Sequence, residues 1–163
     1  MPMIRRSALA LIAIVTLAAC HAPKAAVKPA DESANAAFLT KNAKEPGVVT
    51  LPDGLQYKIV TSGPATGIHP KVEDEVKVNY EGKLLSGEVF DSSFARGVPA
   101  AFPLDGLIPG WVEALQMMRP GDEWILWTPP ALGYGDEAKG PIPDNSVLQF
   151  RIQLLSVLPH SAG

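Results

Sequence analysis

Side chains able to do covalent chemistry are few in this sequence and far apart. The histidines stand at positions 21, 69 and 160 and the single cysteine at position 20. Neither a Ser/His/Asp relay nor a thiol paired with a base can be read from that spacing. No Cys/His constellation has zinc spacing, and no GxxxxGK[ST] loop offers a cradle for nucleotide phosphates, so the expectation is no metal and no cofactor. Glu73-Asp74-Glu75 reads as a solvated loop face rather than as paired acid catalysts. What remains is aromatic. Tyr80, Phe90, Phe102, Trp111, Tyr134 and Phe150 fall at strand ends, at a helix start or in a Gly-flanked loop, where they can converge on a pocket. Taken singly, Trp111 or Phe150 also reads as plain core, because a large ring on an apolar face usually packs.

Positioning such rings needs a sheet and a helix. Leu55–Thr61 and Val76–Leu85 alternate apolar and polar residues, with Val76, Val78 and Tyr80 on one side. Ser86-Gly87 then turns the chain into Glu88–Asp91, a hairpin signal. Glu123–Thr128 and Val147–Leu158 read as core strands, the latter with Leu148, Phe150, Ile152 and Leu154 on one face. Between them Pro109 suits a first helical turn, Trp111, Leu115 and Met118 recur at helical spacing, and Pro120-Gly121 ends the segment. One short amphipathic helix laid on an antiparallel sheet is an α+β architecture.

The 163 residues, 47% hydrophobic and 19% charged with a net charge of −3, suit one domain with appendages. The balance offers no basic face for nucleic acid. Met1–Arg6 is short and basic, and the apolar run Ala8–Ala19 has twelve residues, against the ~20 needed to cross a bilayer. Residues 1–19 therefore read as a signal peptide rather than a span. Leu17-Ala18-Ala19-Cys20 resembles the bacterial lipobox, which makes Cys20 the lipidated residue; the alternative is an ordinary secretory peptide cut near the alanines, leaving a free thiol. His21 after the cysteine, where inner-membrane retention often uses Asp, favours the outer membrane. From His21 to about Ala36 the composition is that of a tether. Asp31–Ala43 reads as a short helix with Ser33 as N-cap, stopped by Pro46-Gly47. The expected division is 1–19 signal peptide, 20–46 lipidated cysteine, tether and helix, 47–159 the domain and 160–163 a tail.

Four motifs then occur in order: Val78-Asn79-Tyr80-Glu81-Gly82, Gly87–Ser93, Ile108–Leu115 and Ala131-Leu132-Gly133-Tyr134-Gly135. Together they resemble the FKBP-type peptidyl-prolyl cis-trans isomerases, and Val49–Tyr57 is similar to the bacterial macrophage-infectivity-potentiator branch. The resemblance spans about Asn35 to Leu158. It implies a twisted antiparallel half-barrel wrapped around one short helix, with an apolar pocket between them. In that picture Trp111 is the floor and Tyr80, Phe90, Phe102 and Phe150 are walls. Leu107 and Ile108 fall where the family has apolar residues with free backbone groups at the rim, Tyr134 where it offers a hydroxyl, and Asp91 where it has a carboxylate. Arg96 and Ile142 complete the implied substrate contacts. Two readings stay open: Asp91 as a turn residue before Ser92-Ser93, and Arg96 as plain surface or as the partner holding Asp91. The chain departs from the pattern at Ala100, at Gly106 and in the compact loop 136–143, which bears on rim contacts and macrolide affinity.

The implied reaction explains the absence of nucleophiles. Rotation about an X-Pro bond meets a barrier of ~18–20 kcal/mol from amide resonance, and no covalent bond is made or broken. The implied partners are proline-containing clients among exported proteins, with macrolides such as rapamycin and tacrolimus as inhibitors, in a lipid-anchored monomer whose domain lies in the periplasm of a bacterial envelope. A holdase using the same cleft, alongside or instead of isomerisation, and a purely structural anchor are the competing classes.

Overall fold

The computed structural model describes residues 30–160. The expected signal peptide, the expected lipidation site at Cys20 and the first part of the expected tether lie outside the described residues. Within them, the alternation read in the sequence becomes an antiparallel sheet of seven strands: β1 (Val48–Thr50), β2 (Gln56–Thr61), β3 (Glu75–Leu84), β4 (Val89–Ser92), β5 (Ala100–Pro103), β6 (Glu123–Thr128) and β7 (Leu148–Leu158). The strand order is β1-β2-β6-β7-β3-β4, with β5 pairing a further stretch of β3. β3 and β7 are the long members and run in register from Glu75↔Leu158 to Leu84↔Leu148, with a slip between Lys77 and Val78. Val76, Val78 and Tyr80 on β3, and Leu148, Phe150, Ile152 and Leu154 on β7, are all buried on one face.

That face closes over α3 (Pro109–Met117), whose first position is Pro109, where a missing N–H costs nothing. Trp111, Ala114, Leu115 and Met118 carry the stripe into a core shared with Leu55, Leu104 and Leu126. A single turn, α2 (Ser93–Arg96), follows β4, with the Ser92 hydroxyl accepting from the Ala95 N–H.

Two local expectations change. The helix α1 (Glu32–Asn42) is capped by Asp31, not Ser33: the Asp31 carboxylate accepts from the Ser33 and Ala34 N–H groups. A carboxylate two residues earlier reaches these donors and also meets the positive end of the helix dipole. The acidic run is not uniformly solvated either. Asp74 is buried, its two oxygens accepting from the N–H groups of Lys71 (2.8 Å) and His160 (2.9 Å). It therefore ties the loop before β3 to the chain leaving β7. The helix α1 is not loose: Asn42 Nδ2 donates to Gln56 Oε1 (2.8 Å) and Gln56 Nε2 donates to the Leu39 carbonyl (2.9 Å), so α1 sits against β2.

Candidate active site

The opening of the half-barrel leaves a hollow of about 280 Å³, lined by Tyr80, Phe90, Asp91, Phe102, Gly106, Leu107, Ile108, Trp111, Tyr134 and Phe150. This lies near the lower end of the ~300–1,000 Å³ found for small-ligand sites, suited to one small ring and its neighbours. Trp111, on the first turn of α3, is 96% buried and meets three rings edge to face: Tyr80 and Phe150 at 5.3 Å and Phe102 at 6.3 Å between centroids. Phe90 meets Phe150 at 5.7 Å, again at nearly a right angle. Such contacts are worth ~0.5–1.5 kcal/mol each beyond burial and fix ring orientation. Trp111 Nε1–H has no acceptor among the described residues, leaving a donor in the apolar floor.

The walls depend on a glycine in the middle of β3. A Cβ on Gly82 would lie 2.6 Å from two Phe90 ring atoms and 2.9 Å from Phe150 Cε1. Only a bare Cα lets both rings lean over the strand.

On the polar side, Tyr80 Oη–H donates to Asp91 Oδ2, Arg96 Nη1 donates to Asp91 Oδ1, and Arg96 Nη2 donates to the Tyr80 hydroxyl (3.0 Å). Burial favours the neutral form of Asp91, but the hydrogen bonds from Tyr80 and Arg96 and the Arg96 charge outweigh it, holding the carboxyl below its ordinary range. Burial, then the Asp91 hydrogen bond, pushes the Tyr80 phenol up. Burial, then the Asp91 charge, does the same for Tyr134. Both phenols are thus protonated donors at neutral pH. With both Asp91 oxygens occupied, the carboxylate is a brace for the wall rather than a base.

The structure brings together Tyr80, Phe90, Asp91, Phe102, Leu107, Ile108, Trp111, Tyr134 and Phe150 around this hollow. Asp91 lies within β4, paired with Gly82, rather than in a turn. Arg96 is not a lining residue; it stands behind Asp91 and Tyr80, its guanidinium 5.6 Å from the Tyr80 ring centre. Ile142 is not a lining residue either. It is 4% exposed within the main core, drawn inward because the turn at Lys139–Ile142 folds the loop back on itself. Gly106, noted in the sequence only as a departure, does line the rim. His69 has a structural setting instead, with Nδ1 on the Met118 carbonyl (3.1 Å) and Nε2 accepting from Arg119 (2.9 Å).

Comparison with known proteins is consistent with this geometry. A family model described as FKBP-type peptidyl-prolyl cis-trans isomerase matches residues 66–155, and one for the domain amino-terminal to such isomerases matches residues 10–59. The chain is similar to the peptidyl-prolyl cis-trans isomerase Mip of Coxiella burnetii, 52% identical over 122 residues, covering 74% of this chain and 52% of that protein. It is also similar to the outer membrane protein MIP of Legionella longbeachae, at 48% identity over 74% of this chain and 52% of the relative. The crystal structure of FkpA from Escherichia coli superposes with a TM-score of 0.75 at 44% identity, over 78% of this chain and 59% of that one. The chain thus spans about half the length of the curated relatives it matches. Since residues 66–155 take in every residue that lines the hollow, the chain belongs to the FKBP-type peptidyl-prolyl cis-trans isomerase family.

Proposed function

We propose that this protein catalyses rotation about X-Pro bonds in exported polypeptides, anchored at the bacterial envelope through lipid on Cys20. The observation that carries this reading is the convergence of Tyr80, Phe90, Phe102 and Phe150 on Trp111 around one hollow. The planar amide has more charge separation than the twisted one, so moving it from water into an apolar hollow favours twisting. The proline ring rests on Trp111 between the aromatic walls. The Tyr134 hydroxyl, or the backbone N–H of Ile108 at the rim, holds a substrate carbonyl while the bond turns, the Leu107 N–H being taken by the Leu104 carbonyl (3.2 Å). No proton transfer is required, in keeping with an Asp91 whose oxygens are already taken by Tyr80 and Arg96. Each tenfold in rate needs only ~1.4 kcal/mol of preferential stabilisation of the twisted state. Proline-limited folding steps take ~10–100 s uncatalysed, which makes exported clients the natural substrates. The outer membrane is the favoured location, in line with the name of the Legionella relative. The same hollow is the expected seat for macrolides such as rapamycin and tacrolimus.

The test is a protease-coupled assay on Leu-Pro and Phe-Pro peptides. Trp111→Ala is expected to lower kcat/KM at least about tenfold and Asp91→Ala by less, both in folded protein, and rapamycin should abolish wild-type turnover. Unchanged turnover in the folded variants would overturn the site. Suppressed aggregation of a client with no gain in its refolding rate would instead indicate a holdase.

A further inference from the structure

A line of hydrogen bonds joins α1 to the rim of the hollow. The loop of residues 133–147 carries Tyr134, and near its far end Asn145 has φ of +54°, a left-handed conformation that costs most side chains dearly and asparagine less. The Asn145 N–H donates to the Gly135 carbonyl (2.8 Å), closing the loop beside Tyr134. The Asn145 carbonyl in turn accepts from Nδ2 of Asn35 on α1. One residue earlier, the Asp144 carbonyl accepts from the Ala30 N–H (3.1 Å). Two successive carbonyls of the loop are therefore held by the segment that leads into the domain.

Apolar burial does not explain this contact. The two residues that α1 buries are Asn35 and Asn42. A buried carboxamide is costly unless its hydrogen bonds are made, so Asn35 is placed by its bond to Asn145 rather than by packing.

We propose that Asn35 is a positioning residue for the isomerase site: by holding the Asn145 carbonyl it fixes the left-handed turn, and through the Asn145–Gly135 bond it keeps Tyr134 at the rim. Turnover then depends on one side chain of a helix outside the half-barrel. The inference rests on the isomerase reading of the hollow and on Tyr134 as its substrate-facing phenol.

The test uses the full chain. Asn35→Asp keeps the shape but sets an oxygen against the Asn145 carbonyl, and Asn35→Ala removes the donor without adding charge. Each should lower kcat/KM on a Phe-Pro peptide roughly two- to tenfold, the effect of one hydrogen bond, and speed hydrogen exchange of the Asn145 amide. Asn42→Asp, which breaks the Gln56 bond at the other end of α1, should leave turnover unchanged. In a Tyr134→Phe background the Asn35 substitutions should add no further loss, because the two changes act on one interaction. Wild-type turnover in both Asn35 variants would overturn the proposal, as would an equal loss in Asn42→Asp or an undiminished loss beside Tyr134→Phe. A silent Tyr134→Phe together with an inactive Trp111→Ala would overturn it while leaving the hollow as the site. An active Trp111→Ala would remove the hollow as the site, and a wild-type chain without turnover would remove the isomerase reading itself.

Discussion

Glu113 shows how the environment of one residue on α3 sets a pH dependence. It stands two positions after Trp111 on α3 and shares a proton with Asp53 in the turn between β1 and β2. Burial, then the hydrogen bond and negative charge of Asp53, pushes the Glu113 carboxyl from its ordinary 4.5 up to about 7. The hydrogen bond from Glu113, against a smaller effect of burial, holds Asp53 low. The folded protein therefore keeps a proton on Glu113 that the unfolded chain releases. The stability this gives is complete below about pH 4.5 and is lost as pH rises to about 7. Glu113→Gln keeps a donor for Asp53 and removes the titration. Because Asp53 is exposed, the gain at pH 8 is about 1 kcal/mol, a rise in Tm of ~2–4 °C, shrinking to nothing by pH 4.5. Thermal melts of both proteins across that range check it, and a difference that does not change with pH would contradict the shared proton. Spacing alone could not reveal the pair, since Asp53 and Glu113 meet only when α3 docks near the β1–β2 turn. Asp91, by contrast, was legible through its motif, although whether it braced a wall or closed a turn waited on the Tyr80 and Arg96 contacts.

At the level of elements, long periodic segments were legible, and short ones only where a turn announced them, as Ser86-Gly87 announced β4. β3, β6, β7 and α3 announce themselves because their burial pattern repeats often enough to be read. β1, β5 and α2 span three or four residues each, too few for a period, and exist because longer neighbours supply their partners. α1 was foreseen as a helix but not as a docked one, because it binds through two asparagines that carry no hydrophobic signal. The packing of β4 and β7 across β3 has a similar hidden requirement in Gly82. Gly82→Ala would push its methyl group into Phe90 and Phe150. We expect a loss of about 1–3 kcal/mol from overpacking, with reduced turnover because two walls must move. Gly106→Ala, whose Cβ would meet nothing within 4 Å, is the contrast, with a stability change within ~0.5 kcal/mol. Denaturant melts of the two variants decide the matter. A harmless Gly82→Ala would mean the rings have room to shift.

For the whole molecule, the sequence conveyed the architecture but not the strand order, because the pairings that define it are distant along the chain. β2 finds β6, and the last strand, β7, inserts between β6 and β3; each strand's own alternation says which face it buries and nothing about its neighbour. The consequence is a core in which no element is independent. Trp111 on α3 and Trp124 on β6 belong to one cluster with β3 and β7 residues, and Trp127 is buried on the same strand as Trp124. The hollow cannot persist once the sheet opens, so a ligand seated in it must stabilise the entire domain. Rapamycin at about 100 times its Kd should add ~2.7 kcal/mol to the unfolding free energy, raising Tm by roughly 5–10 °C for a chain of this size. Tryptophan fluorescence, which reports the core around α3 and β6, and far-UV circular dichroism, which reports the backbone, should shift together by the same amount. If the fluorescence transition moved while the backbone transition stayed in place, the hollow and the sheet would be separate unfolding units, and the single shared core would be the wrong description.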